Sequence, residues 1–227
     1  ATNKQLMDNA ETNYIKQILG LQHGKEYKST SQLRYGKIMI LTDADVDGSH
    51  IKGLLINFIH HFWPTLITTD FITAMVTPVL KATKGSVQHS FYTLPDFNEW
   101  KSEQPNNAQG YKIKYYKGLG TSTATEAKEY FRSLEQNTVH YANSVGTNKS
   151  ITLAFKKELA DARKQWIVKG IKDNDTLLYD ASNRTVTYED FIHKDLIWFS
   201  IADLTRSIPS MVDGLKPSQR KVLFACR

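Results

Sequence analysis

Residues 37–42 read Lys-Ile-Met-Ile-Leu-Thr, a short apolar run without alternation. That is the pattern of a strand buried on both faces of a parallel sheet. Beyond an acidic turn, Ile51, Leu54, Leu55, Phe58, Ile59 and Phe62 recur at helical spacing as far as Pro64, where the residue before proline disfavours helical angles. The pattern is therefore strand, tight acidic turn, helix. Two β-rich runs, 71–81 and 87–93, flank a Thr-Lys-Gly-Ser turn at 83–86 and predict a hairpin. Residues 111–116 predict a further strand that runs into Gly118-Leu119-Gly120. Thr123 and Glu126 then form a capping box for a helix bearing Ala127, Tyr130, Phe131 and Leu134. Repeated strand-then-helix order predicts an α/β architecture. Residues 137–150 and 170–183 are polar and patternless, which predicts loops or linkers and a change of domain there. Helix signals return at 187–190, Pro209 breaks the pattern, and Pro217 stands where a new helix starts. Because that helix runs to the last residue, the chain is expected to end inside a domain.

A chain of 227 residues accommodates one large domain, or one domain and part of another. No apolar run approaches the roughly 20 residues that span a bilayer, and the first residues carry no signal pattern, so a soluble protein with no membrane partner is expected. Cys226 is the single cysteine, which excludes an internal disulfide and a cysteine-built zinc site and favours a reducing compartment. Lys and Arg number 29 against 23 Asp and Glu, a net +6, so the surface should attract polyanions, nucleic acid among them.

The most informative stretch is Asp43-Ala44-Asp45-Val46-Asp47-Gly48. In extended spacing, Asp43, Asp45 and Asp47 project toward one side at the C-terminal end of a buried strand, where open α/β sheets bind ligands. Two carboxylates about 4 Å apart repel by roughly 4 kcal/mol at an effective dielectric of about 20, and a cation relieves that repulsion. All-oxygen ligands on a small turn suit Mg²⁺, which keeps waters that a phosphate can replace. An EF-hand reading fails, because its twelfth position is Leu54 where a bidentate Glu is required, and the preceding segment is strand-like. A plainer reading stays open, in which the aspartates cap the following helix and remain hydrated.

Residues 43–51, Asp-Ala-Asp-Val-Asp-Gly-Ser-His-Ile, resemble the TOPRIM carboxylate motif of type II DNA topoisomerases, and residues 52–64 continue the likeness. Leu33-Arg34-Tyr35-Gly36, Tyr115-Tyr116-Lys117-Gly118-Leu119-Gly120-Thr121-Ser122 and residues 206–223, Arg-Ser-Ile-Pro-Ser-Met-Val-Asp-Gly-Leu-Lys-Pro-Ser-Gln-Arg-Lys-Val-Leu, agree as well. The C-terminal segment and long helix insert look eukaryotic, whereas Ala44 and Val46 look more like the bacterial gyrase version. The resemblance implies a TOPRIM Rossmann-like parallel sheet flanked by helices, followed by the mostly helical start of a winged-helix domain. The expected division is 1–145 for the TOPRIM domain without its first strand and glutamate motif, 146–187 for a helix and linker region, and 188–227 for the truncated start of the winged-helix domain.

The same resemblance implies Mg²⁺ held by Asp43 and Asp45, with Asp47 supporting, together with a glutamate expected before Ala1. The tyrosine nucleophile is expected beyond Arg227, so no catalytic residue is placed in the chain itself, and ATP is bound by another part of the enzyme. Double-stranded DNA, a second copy in a homodimer and a nuclear location follow from the family, as does an activity that transiently cleaves and religates DNA.

Candidate DNA contacts are His50, Lys117, Arg163, Lys164, Lys216, Arg220 and Lys221. Arg163 and Lys164 lie on an amphipathic helix that Trp166 helps to bury, and the resemblance sets them against the DNA backbone. Lys216, Arg220 and Lys221 surround the start of the last helix, where cations grip phosphates. Lys117 precedes the Gly-x-Gly turn, and His50 reads equally as a phosphate contact or a helix-start cap. The plain alternative for each is a solvated charge. His60 and His61 lack ligand-spaced partners and read as structural; Phe91, Tyr92, Phe97 and Trp100 read as core. Two rival functions remain, a TOPRIM domain of a primase or nuclease-like protein and a non-catalytic DNA-binding module; residues 206–223 discriminate among the readings, because primases and nucleases are not expected to follow the acidic domain with that segment.

Overall fold

The computed structural model describes residues 3–116, 118–177 and 184–226. It opens with helices Asn3–Asp8 (α1) and Ala10–Leu19 (α2); Asn9 caps the second by accepting from the Thr12 N–H at 2.8 Å. Strand Ile38–Ile40 (β1) then leads through the acidic turn into Val46–Phe62 (α3), the helix that the apolar spacing requires. Pro64 ends the pattern as expected and begins a short helix, Pro64–Ile67 (α4).

The β-rich run at 71–81 is not one strand. Ile72–Met75 (β2) and Leu80–Lys84 (β3) belong to different sheets, and Pro78, which has no N–H for a ladder, falls in the break. The hairpin forms as predicted between β3 and Val87–Phe91 (β4), with Gly85 in its turn at a φ of 59° that favours glycine. Leu94–Glu103 (α5) follows, then Lys112–Tyr115 (β5) and Ala124–Arg132 (α6), whose capping box at Thr123 and Glu126 is present.

Leu134–Asn137 (α7), Thr138–Ala142 (β6) and Thr147–Phe155 (α8) occupy the stretch expected as loop at 137–150. Thr138 and His140 disguised the strand, although Val139 and Tyr141 are buried in the core. The second expected loop, 170–183, starts later than predicted, because Ala160–Asp173 (α9) continues past Gly170 until Asn174 takes a left-handed conformation; its residues 178–183 lie outside those described. Thr185–Thr187 (β7) and Tyr188–Asp190 (α10) come next, then a π-helical turn over Phe191–Leu196, Ile197–Ser207 (α11) and Pro217–Ala225 (α12).

The first sheet has the order β1-β2-β6-β7, parallel at both outer pairs and antiparallel between β2 and β6. The α/β expectation holds, but the sheet is mixed rather than all-parallel. Strands β4-β3-β5 form a second, antiparallel sheet, packed on α5 through Leu80, Phe91, Phe97 and Trp100. Of the aromatics expected as core, Phe91 and Phe97 are buried and Trp100 packs against them half-buried, whereas Tyr92 is half-buried and lines a cavity beside the acidic turn. The main core joins Ile56 and Ile59 of α3, and Trp63 at its C-terminal cap, to Ile72, Val139, Ile151, Tyr188 and Phe191. It therefore runs without interruption from the first half of the chain to Leu196, across both expected domain boundaries.

One polar contact inside this region settles a proton position. Trp166 Nε1 donates to His193 Nδ1 at 2.9 Å, so the neutral ring carries its proton on Nε2 and donates it to Ser150 Oγ at 3.0 Å. Ser150 thus faces a donor and has no general base. Burial lowers the proton affinity of His193 below its ordinary 6.5, with Lys169 adding to the effect against the pull of Glu189 and Asp190. A histidine depressed on folding binds its proton more readily when unfolded, so its contribution is complete above pH 6.5 and is lost as pH falls from there through the lower value of the folded ring. His23, His50 and His60, depressed by burial in the same direction, add to this slope. The thermal midpoint is expected to drop between pH 7.5 and 5.5, and His193→Gln should flatten part of the drop in a calorimetric scan; an unaltered slope would contradict the proton assignment.

Candidate metal and nucleic-acid site

The acidic turn sits at the C-terminal end of β1. Asp45 is the N-cap of α3, extended at φ −136° and ψ 176°, and its Oδ1 accepts from the Gly48 N–H at 2.7 Å. Asp43 Oδ1 accepts from the Leu119 N–H at 2.7 Å. Asp47 receives a two-pronged contact from Arg206, at 2.9 Å from Nη1 and 2.6 Å from Nη2. That hydrogen bonding, more than the charge attraction, holds the Asp47 carboxyl below the usual range. Each carboxylate therefore has its own compensating donor.

Two glycines make the arrangement possible. A Cβ on Gly48 would lie 2.0 Å from the Asp43 carbonyl oxygen, and one on Gly118 would lie 2.9 Å from the Asp43 carboxylate. Both need glycine for close approach, not for an unusual φ.

Asp43 and Asp45 line one cavity of about 330 Å³ with Ser49, Lys52, Asp195 and Trp198. Asp195 reaches α3 from the π-helical turn, accepting from Ser49 Oγ at 2.6 Å and pairing with Lys52 Nζ at 3.3 Å. Two carboxylates on one wall offer the hard oxygen donors that a divalent cation with retained waters requires, so this pair fits the metal expected from sequence. Asp47 faces Arg206 instead of this cavity. Among the described residues no cluster of three His, Cys, Asp or Glu closes a complete cage.

Of the expected DNA contacts, His50 and Arg163 come together, lining a second cavity of about 240 Å³ with Phe155, Phe199 and Asp203. The His50 ring stacks on Phe199 at 3.8 Å and 8°. Burial lowers its proton affinity despite Asp203 and Asp47 nearby, so it is a neutral hydrogen-bonding group at pH 7. Arg163 Nη1 donates to the carbonyls of Leu153, at 3.1 Å, and Lys156, capping α8. Lys164 is exposed and pairs with Asp161 at 2.8 Å. Lys216, Arg220 and Lys221 cluster at the start of α12, where Arg220 is held by both oxygens of Asp213 at 2.8 and 2.7 Å. Lys117 lies outside the described residues.

Sequence reasoning missed Arg206, Asp195 and the Leu119 N–H. Arg206 opens the segment 206–223 that carries part of the resemblance, but nothing in the spacing ties it to Asp47, 159 positions away. A backbone donor has no sequence signature at all.

The chain matches the family described as the C-terminal associated domain of TOPRIM over residues 75–204. It is 52% identical over 240 residues to DNA topoisomerase 2-beta of Gallus gallus and 51% identical over 239 residues to DNA topoisomerase 2-alpha of Homo sapiens. These alignments take in 100% of this chain but only 15% and 16% of the two relatives. The crystal structure of the Plasmodium falciparum topoisomerase II DNA-binding, cleavage and re-ligation domain is similar, with a TM-score of 0.89 at 44% identity, covering 100% of this chain and 31% of that one. These likenesses lend no support to a primase or nuclease.

Gly48→Ala tests the close approach. The added methyl is expected to push the turn off α3 and cost about 2–3 kcal/mol, as overpacking against a fixed backbone does. Urea denaturation measures it, and a loss below about 0.5 kcal/mol, the scale of an ordinary surface substitution, would show that the turn yields freely.

Proposed function

The chain belongs to the family of the C-terminal associated domain of TOPRIM and is the counterpart of that region in eukaryotic-type type II DNA topoisomerases; from this we propose that it is the metal-binding and DNA-gripping part of such an enzyme. The whole protein, on this reading, is an ATP-hydrolysing, nuclear homodimer that transiently cleaves and religates double-stranded DNA, with ATP bound outside this chain. The division into 1–145, 146–187 and 188–227 is proposed as one of role, because a single core crosses both boundaries.

The observation that carries the reading is that Asp43 and Asp45 line one cavity at the C-terminal end of β1, the edge strand of the mixed sheet. We assign Mg²⁺ to this pair, with Asp47 supporting indirectly by anchoring Arg206 beside the turn. When bound, the ion supplies charge stabilisation to a phosphate and its leaving oxygen. The residues themselves do the positioning. Asp45 stays fixed as a helix cap, Asp43 is aimed by the Leu119 N–H, and Lys52 is held off both by Asp195. His50, neutral and clamped on Phe199, offers a hydrogen bond rather than a fixed charge. Lys117, Arg163, Lys164, Lys216, Arg220 and Lys221 are proposed to meet backbone phosphates, which position DNA without reading its sequence.

Calorimetric Mg²⁺ titration tests the metal. Weak binding is expected, falling about tenfold or more in Asp43→Asn and Asp45→Asn, the scale of losing a ligand or its support; unchanged affinity in the double variant would remove the assignment. DNA binding should be sequence-tolerant and steeply salt-dependent. Lys164→Glu with Lys221→Glu should reduce the slope of log K against log salt by about 2, near 0.9 for each phosphate left without its cation. A slope equal to the parent's would show that these two side chains face elsewhere.

A further inference from the structure

The Leu119 N–H that aims Asp43 belongs to a turn containing Gly118 and Gly120, residues whose freedom makes a fixed geometry costly to hold. The turn has a few bonds of its own, Thr121 N–H and Oγ1 to the Gly118 carbonyl at 3.0 and 2.6 Å and Ser122 N–H to Leu119 at 3.2 Å. What closes it is a side chain beyond it. Glu126 Oε1 accepts from the Tyr116 hydroxyl, at the near end of the turn. Its Oε2 accepts from the Thr123 N–H at 2.7 Å and Thr123 Oγ1 at 3.0 Å, at the far end. Lys114 Nζ bonds both oxygens, at 3.0 and 2.9 Å.

We infer that Glu126 is a positioning residue for the metal site: by tying both ends of the Gly118–Ser122 turn to one carboxylate, it holds the Leu119 N–H on Asp43. This rests on the metal assignment made above. The carboxylate is suited to the task because it is ionised at all working pH values. Burial alone would raise its proton affinity, but the Thr123 N–H, Tyr116 and Lys114 bring it down to about 2. Tyr116 is itself anchored, with its N–H on the Val79 carbonyl at 2.8 Å and its ring within 5.7 and 4.5 Å of the ammonium groups of Lys81 and Lys114. The capping box is thus more than a helix start. Its glutamate also fixes a turn that reaches 76 positions back along the chain.

The test measures Mn²⁺ affinity by electron paramagnetic resonance, and Leu119 amide exchange by NMR without metal, in the 227-residue chain. Glu126→Ala is expected to weaken Mn²⁺ binding roughly fivefold, below the 10–100-fold typical of a direct partner of a ligand, and to speed Leu119 exchange. Leu119→Pro, which removes the donor, should weaken binding similarly, and the double variant should be no weaker than Leu119→Pro alone. Glu126→Gln, which keeps the shape and part of the bonding, should fall between Glu126→Ala and the parent. Glu129→Gln, on the same helix as Glu126, breaks its 3.7 Å pair with Lys81 of β3; it should lower thermal stability and leave Mn²⁺ affinity intact. Parent-like Mn²⁺ affinity in Glu126→Ala, with Asp43→Asn weakened, would overturn the role of Glu126 alone. Parent-like affinity in both Asp43→Asn and Asp45→Asn would overturn the metal assignment and this inference with it.

Discussion

Three carboxylates within a span of five residues repel one another, and the fold around them is shaped by how that repulsion is relieved. Each is met by a donor of a different kind: a backbone N–H of its own helix for Asp45, a backbone N–H from a distant turn for Asp43, and a guanidinium from α11 for Asp47. The helix dipole at the start of α3 favours the same charges. Remote parts of the chain are drawn to one point as a result, and the acidic turn is where the two sheets and the C-terminal helices meet. Asp195 extends the scheme by holding Ser49 and Lys52 one and two turns further along α3.

Much of this was legible in the sequence, and the boundary of legibility has a physical cause. Helix α3, the hairpin and the capping box were readable because local periodicity and turn chemistry decide them. Strand β1 was readable as a strand, but not buried on both faces as its apolar run suggested, because it lies at the sheet's edge with Met39 exposed. Strand β6 was not, since Thr138 and His140 interrupt its apolar pattern while Val139 and Tyr141 do the packing. The break between β2 and β3 turned on Pro78 alone. At the site, the aspartates were found from charge and spacing, but their sorting into a cavity-facing pair and an Arg206-bound third depends on tertiary contacts that no local pattern encodes. The turn after Tyr116 was noticed for its glycines, whereas its partner proved to be a carboxylate of the protein itself.

Magnitudes decide how the cationic residues can serve a polyanion. The Lys164–Asp161 pair is 78% and 91% exposed, where water screens the attraction, so Lys164 exchanges its partner for a phosphate at little cost. Arg163 is different. It satisfies two carbonyls at the end of α8, and replacing it disturbs packing as well as charge. Arg220 is braced by Asp213, whose carboxyl that contact and the Leu215 N–H hold at about 2. A braced guanidinium presents its remaining donors in a fixed plane, which suits a phosphate better than a wandering ammonium.

The π-helical turn at Phe191–Leu196 sets the phase of everything after it. Such a turn amounts to one residue more than an α-helix would use over the same rise, so α11 leaves it rotated relative to α10. Removing a single residue there, with the helix otherwise intact, would rotate α11 by about 100°. Arg206 would swing off Asp47, Phe199 off His50, and Asp195 out of reach of Ser49. Three contacts that look independent share one angular setting, so insertions and deletions in this short stretch are far more disruptive than any one substitution among the partners.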